Sequence, residues 1–386
     1  DDTLQDILIR FKRLSGYEAC WLPGADHAAI ATEQKIVEKL AKEGKTKEGI
    51  GREEFDKVAW EWYDYYGDQI FQQFRKIGFS ADWSRYRFTM DEKSTNAVLE
   101  AFIRLYKKGY IYRGTRETNW CTHCKSVISD DEVVYSDEQG SMWHIQYKFA
   151  DGSGHITVAT TRPETMLGDT AVAVNPDDER YTAIVGKKVI VPIVNREIPI
   201  IADSYVEKDF GTGMVKITPA HDPNDYEVGK RHNLDVIQVI SKSGVMTDIA
   251  GEKFEGLSIL DAREKTVEEL KTLGVLEKIE PYTHSVGHCE RCKTAIEPMI
   301  TEQWFVKMSE LVKPAIKCVE DGTMKIHPKR FEKNYFHWLR NIRDWCISRQ
   351  LWTGHRIPIY YCKDCKNVMA SKTAVTVCDK CGSSNV

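Results

Sequence analysis

Eight of the eleven cysteines stand in four C-x-x-C pairs: "CTHC" (Cys121, Cys124), "CERC" (Cys289, Cys292), "CKDC" (Cys362, Cys365) and "CDKC" (Cys378, Cys381). Two such pairs supply the four thiolates of a tetrahedral Zn²⁺ site. The last two pairs are twelve residues apart and carry turn formers, as in "CDKCGS", which predicts a structural zinc ribbon. A redox C-x-x-C would want a βαβ setting and gains nothing from a second pair nearby. The first two pairs lie 164 residues apart, and neither has a local His or Cys set to complete its own site, although His123 lies inside one knuckle and His288 precedes the other. Loop-closure entropy grows only logarithmically with length, so these four are expected to share a second ion. That site would clamp the two ends of everything between, as an inserted domain sits on a host. Cys20, Cys318 and Cys346 remain as expected buried thiols.

Two polar clusters interrupt apolar runs. In "VATTRPETMLGDTAVAV", residues 158–174, Thr161 and Glu164 stand at capping-box spacing with Pro163 at a first helical position, the pattern of a capped strand-to-helix junction. Arg162 beside Thr160, Thr161 and Thr165 also concentrates donors that could hold a carbonyl or carboxyl oxygen. In "GTGMVKITPAHDPNDY", residues 211–226, Asp222 and Asn224 read first as a turn or N-cap. The preceding strand nevertheless delivers Lys216 and Thr218 to one face. His221, Asp222 and Asp225 follow within one turn, and two carboxylates could fix an ammonium group. There is no G-x-S-x-G elbow and no Ser or Cys marked as an activated nucleophile, so any hydrolysis here would use water. A third stretch, "WLPGADHAAIA", places Asp26 and His27 at a turn between strand and helix, where open α/β sheets bind ligands; capping is the plainer role for Asp26.

The elements that must position these residues change texture along the chain. Residues 1–15 form an amphipathic helix pattern through Leu4, Ile7, Leu8 and Phe11, "ACWLPG" reads as a short buried strand, and "HAAIATEQKIVEKLAKEG" reads as a helix stopped by Gly44. A long helix is predicted over 53–77 on Phe55, Val58, Trp62, Tyr65, Phe71, Phe74 and Ile77, with its aromatics read as core. Another helix follows over 92–108, and "GYIYRGTRETNW" leads as a strand into the first knuckle. Between the distant knuckles, "MWHIQYKFA", "GHITVATT", "TAVAV", "KKVIVPIV", "REIPIIA" and "GMVKITPA" are short β-branched runs separated by turn residues, the mark of a strand-rich, barrel-like unit. Helices are expected at 223–232 and 260–273, and "FHWLRNIRDWCISRQ" has helical texture.

A length of 386 residues calls for more than one core. With 42% hydrophobic and 29% charged residues, the composition is that of a globular protein. The formal charge of −4 argues against a protein whose main work is coating nucleic acid. With no apolar run of about 18 residues and no signal-peptide flank, a cytoplasmic chain without membrane partners is expected.

Taken together, "LQDILIRFKRLSGYEACWLPGADHAAIATE", "TTRPETMLGDTAVAVNPDDERY", "GTGMVKITPAHDPNDYEVGKRHNL" and "DWCISRQLWTGHRIP" make the sequence resemble the valyl-tRNA synthetases, class I aminoacyl-tRNA synthetases, over essentially its whole length. The isoleucyl enzymes typically have Trp in place of the Glu after "TTxP", and the leucyl enzymes a different tract after "TTRP". The resemblance implies an α/β fold. A partial Rossmann-type catalytic domain would occupy 1–142 with the first knuckle, and an inserted β-barrel-like α/β editing domain 143–282. Residues 283–386 would return to the catalytic domain with the second knuckle and the ribbon. It further implies that the parent ligates valine to tRNA(Val) with ATP and Mg²⁺, two structural Zn²⁺ being present, and that the insert hydrolyses threonyl-tRNA(Val). By resemblance Arg162, Thr165, Lys216, Thr218, Asp222 and Asp225 line the editing pocket, with Asp225 on the substrate ammonium. Pro23, Asp26 and Trp345 would belong to the valine pocket. The family often has "QLWWG" where this sequence has Thr353 as the second of the pair, which leaves the packing there open.

The family's HIGH signature, expected just before Asp1, and its KMSKS loop, expected well after Val386, do not occur here. The expectation is an excised, monomeric piece that edits without forming valyl adenylate. A reading from another class is a zinc-stabilised tRNA-binding module with no catalysis.

Overall fold

A computed structural model describes residues 2–26 and 30–386, so His27 lies outside the described residues. The chain divides into two compact units: unit I, Asp1–Arg113 with Trp304–Val386, and unit II, Gly114–Gln303. Strand Ile111–Cys121 leads into unit II and strand Glu297–Val306 leads out.

Unit I is mainly helical. Helix Ile30–Lys42 ends before Gly44, whose φ of +71° suits glycine. It packs Ile36 and Leu40 against Phe55, Ala59 and Tyr63 of the long helix Arg52–Ile77. The expected stripe on that helix is shifted: its buried residues are Phe55, Ala59, Tyr63 and Phe71, whereas Tyr65 and Ile77 are exposed. Small Ala59 lets the helix approach its partner, so the seam follows i, i+4, i+8 rather than the largest side chains. "ACWLPG" does not form a buried strand; Gly24–Ala25 pairs in parallel with Arg87–Phe88, and Cys20 is exposed. Cys318 and Cys346 are half-buried. Helix Glu332–Arg340 takes up only the first third of "FHWLRNIRDWCISRQ", and Trp345–Cys346 is extended against Phe305–Val306. Thr353 is buried, and its amide with that of Trp352 donates to the buried Glu33 carboxylate at 3.2 and 2.8 Å. A hydrogen-bonded carboxylate therefore organises the backbone at Trp352 and Thr353.

Unit II is built on a mixed sheet with the order Met214–Ile217, Ala171–Val174, Arg196–Ala202, Lys188–Val191, Val133–Phe149, Leu276–Cys289, and with His155–Thr160 also paired to Val133–Phe149. All its pairings are antiparallel except Ala171–Val174 with Arg196–Ala202. Edge strand Met214–Ile217 also comes alongside His155–Thr160, which curls the sheet into a half-barrel. The "AVAV" strand is buried on both faces: Val172 and Val174 join the core of Ile145, Tyr147, Val158 and Ile200, while Ala171 and Ala173 cluster with Ile217 of the neighbouring strand and with Val228 of helix Pro223–His232. Period-two alternation of small and branched side chains thus fits one strand between two layers. Strands Val133–Phe149 and Leu276–Cys289 continue as a two-stranded ribbon toward the cysteines, in register from Ile145↔Leu276 to Val133↔Cys289 with one irregularity near Leu276.

Candidate functional site

In unit II the two polar clusters converge at the end of strand Met214–Ile217. Period two puts Lys216 and Thr218 on one side, both buried. The Lys216 ammonium donates to Thr165 Oγ1 at 2.9 Å, Asp169 Oδ1 at 3.2 Å and Thr218 Oγ1 at 2.5 Å. Its three N–H groups are thereby used. Asp169 is fully buried, and it also accepts from Thr218 Oγ1 at 2.6 Å and from the Tyr147 hydroxyl at 2.7 Å. Burial pushes its carboxyl above the ordinary range, against the pull of Lys216 and the two hydroxyls.

"TTRPET" does not form the expected capping box. Pro163–Gly168 is a single 3₁₀ segment whose N-cap is Arg162, without a side-chain cap. Thr160 Oγ1 accepts from the Arg162 amide at 3.0 Å, and the Thr165 hydroxyl donates to the Arg162 carbonyl at 3.0 Å. Glu164 turns inward, is fully buried, and takes both arms of Arg263 at 2.9 and 2.8 Å together with Arg162 Nε at 3.2 Å. Arg162 Nη2 reaches buried Glu297 at 2.6 Å. Burial pushes both carboxyls up; two guanidinium groups overcome it for Glu164, which lies below its ordinary value, whereas Glu297 has Arg162 as its main cation and stays above. A buried carboxylate needs such partners more than a helix needs its cap.

Asp222 takes its plainer role, capping helix Pro223–His232 through the amides of Asn224 and Asp225 at 2.8 and 3.1 Å. Asp225 is 5% exposed and accepts the Thr218 amide through Oδ2 at 2.8 Å. Burial, then the Asp222 charge, raises its carboxyl to about 8. His221 is buried, accepts the Val239 amide at 3.0 Å, and is driven down to about 3 by burial and by the Arg162 and Lys216 charges. Thr218 is 1% exposed, which leaves its hydroxyl out of reach as a nucleophile.

The Asp225 shift has a stability consequence. Because the folded value of about 8 lies above the ordinary carboxyl value of 3.8, the folded state holds more proton between the two, and stability from this group falls as pH rises through that window. Urea titrations from pH 5 to 9 should show the protein losing ground to the Asp225→Asn variant at up to about 1.4 kcal/mol per pH unit. A pH-independent difference would contradict the shift.

The cysteines gather as their spacing suggests. Cys121, Cys124, Cys289 and Cys292 form one group and Cys362, Cys365, Cys378 and Cys381 another, each with its sulfurs within 4.8 Å of one another. Cys121–Cys292 is 3.3 Å, and Cys362–Cys381 and Cys365–Cys378 are 3.6 Å. Tetrahedral zinc with Zn–S bonds of about 2.3 Å needs sulfurs about 3.8 Å apart, and an all-thiolate donor set suits that ion. In all four knuckles the residue after the second cysteine has positive φ: Lys125, Lys293, Lys366 and Gly382.

In unit I, Pro23 is buried, Asp26 accepts from the Thr89 hydroxyl at 2.9 Å, and Trp345 is 56% exposed on its two-residue strand. Asp169, Glu297 and Arg263 were not singled out from the sequence. Asp169 and Glu297 did leave a signal, each being a lone carboxylate beside an apolar run, in "MLGDTAVAV" and "AIEPMI". Arg263 left none, since its helix carries several exposed charges.

The family model for tRNA synthetases class I (I, L, M and V) matches residues 1–384. A valine–tRNA ligase of Carboxydothermus hydrogenoformans is 57% identical over 386 residues, one of Clostridium perfringens 54%, and one of Thermotoga maritima 52%. Each match covers the whole of this chain, which spans 44% of the length of these relatives. On these matches the chain belongs to the class I tRNA synthetases of the I, L, M and V group, and within it to the valyl-tRNA synthetases.

Proposed function

We propose that unit II contains an editing domain, with its core over 143–282, which removes threonine from mischarged tRNA(Val), and that unit I is part of a Rossmann-type domain of a protein that joins valine to tRNA(Val). ATP and Mg²⁺ would serve that ligation, with Pro23, Asp26 and Trp345 in its valine pocket, and the two cysteine groups would hold structural zinc. The observation that carries the editing reading is the buried assembly of Thr165, Lys216, Thr218 and Asp169 beside Asp225. An apolar pocket cannot strongly reject an isostere that merely adds a hydroxyl, and the valine–threonine pair is itself the standard worked case of that limit. A second, polar pocket answers it.

In the reaction, water adds to the ester carbonyl and the ester C–O bond breaks. The terminal ribose hydroxyl leaves with a proton, and the acid is released. Asp225 anchors the substrate ammonium: one of its oxygens is held by Thr218, and a bound cation would lower its raised carboxyl back into the charged form. Arg162, braced by Glu164 and Glu297, keeps guanidinium donors for the carbonyl side.

Deacylation of threonyl-tRNA(Val), with valyl-tRNA(Val) as control, tests the proposal. Asp225→Ala should lower kcat/KM roughly 100-fold or more with the fold retained, in line with removing one partner of a buried charge pair. Undiminished hydrolysis in the variant would remove Asp225 from the site, and no hydrolysis by the unaltered chain would favour a tRNA-binding module.

A further inference from the structure

Among the described residues a few buried side-chain polar atoms are left without a hydrogen-bond partner, and one of them stands in the turn between Thr218 and Asp225. Thr165, Lys216 and Thr218 have the obvious chemistry for sensing a hydroxyl, but their donors are committed: Lys216 to Thr165, Asp169 and Thr218, Thr165 to the Arg162 carbonyl, and Thr218 to Asp169. His221 lies in the same turn. Its amide donates to the Thr218 carbonyl at 3.0 Å, its ring is 3% exposed, and its Nε2 accepts the Val239 amide at 3.0 Å. A neutral imidazole whose Nε2 accepts carries its proton on Nδ1. Among the described residues that buried Nδ1–H meets no acceptor. Buried donors are almost always paired, and one held this rigidly without a partner points to a ligand oxygen.

We infer that the His221 Nδ1–H is the specificity-determining donor of the pocket, giving its hydrogen bond to the side-chain hydroxyl of threonine, which the corresponding methyl of valine cannot accept. The inference rests on the editing reading and names the group that does the reading. A site built to hydrogen-bond a substrate hydroxyl rejects the analogue lacking it because its own buried group is then left unpaired. The ring suits that task. Burial and the neighbouring cations keep it uncharged through the physiological range, so Nδ1 donates throughout and never accepts. Its orientation is fixed from behind by Val239.

The test uses the whole zinc-loaded chain and two hydrolysis-resistant ligands, adenosine carrying threonine or valine through a 3′-amide. Calorimetry should show the threonyl ligand binding at least about tenfold more tightly. His221→Gln offers its carbonyl oxygen to the Val239 amide and has no N–H on Cγ, its own NH2 being bonded one carbon farther along the side chain. It should bring that preference to within about twofold and weaken the valyl ligand no more than about twofold. A preference unchanged in a folded His221→Gln variant overturns the inference and leaves the editing reading standing. If the unaltered chain binds neither ligand, the editing reading fails and the inference fails with it. Should the variant not fold, nuclear magnetic resonance of the unaltered ¹⁵N-histidine protein decides, with His221 assigned through its contact with the Val239 amide. Its Nδ1 proton should shift with the threonyl ligand and not with the valyl one, and equal behaviour with both overturns the inference.

Discussion

Cys289→Ser should lower the zinc content from two ions per chain to one and destabilise unit II by roughly 4 kcal/mol or more. Cys289 is fully buried, and its group is surrounded by Ile128, Val133 and Ile296. A serine there removes one of four charged ligands and leaves the other thiols facing one another without an ion. Structural zinc contributes about 10–16 kcal/mol in small peptides that have no other core; unit II keeps the Ile145–Tyr147–Ile200 core, so the loss is a fraction of that. Elemental analysis beside a urea titration checks both parts. Two ions retained per chain would break the pairing of the distant knuckles. The ribbon group of Cys362, Cys365, Cys378 and Cys381 should keep its metal in the same variant.

The second large effect is expected at a residue outside the motifs of the sequence. Asp169→Ala should cost about 3–5 kcal/mol of unfolding free energy, because it strands the Lys216 ammonium in a buried site. Asp169 is fully buried with Lys216 at 3.2 Å, and it also collects the Tyr147 and Thr218 hydroxyls. The damage reaches the framework that fixes the pocket, so hydrolysis of threonyl-tRNA(Val) should disappear as well. Pairing Asp169→Leu with Lys216→Met should recover most of the stability without the activity, since replacing both ions removes the unpaired charge. A loss under about 1 kcal/mol in the single variant would show that the ion pair does not carry this structure.

What the sequence made legible follows from what each interaction requires locally. The cysteine pairs could be grouped because ligand spacing is short and the arithmetic of four thiolates is strict. The strands of unit II announced themselves by β-branched runs between turns, and "AVAV" carries its two burial faces in the alternation itself. The Thr161–Glu164 cap failed because its rival was distant: Arg263, 99 residues on, takes Glu164, and capping rules contain no information about such a partner. The same blindness hid Asp169, whose importance depends on a lysine from another strand. On the long helix of unit I, spacing and size point to Trp62 and Tyr65, whereas Ala59 sits at the seam. The domain boundaries and the roles of the pocket residues came from resemblance, with the deacylation and binding experiments as their tests.

The two-stranded ribbon has a weakness that a metal in the cysteine group would answer. Between the core and the cysteines, Val134–Gln139 are exposed on both faces, and their partners run from Gln139↔Thr283 to Val134↔His288. With Ser136, Asp137, Glu138 and Gln139 in it, this segment has no apolar face to tell one alignment from its neighbour, and two-sided polar strands slip. A slip of one residue would carry Ile145 and Tyr147 from the core face to the opposite one. An ion joining Cys289, which stands opposite Val133, to Cys121 and Cys124 would permit a single alignment. Such a metal would act as a register lock, setting at one end of the ribbon which side chains enter the core at the other.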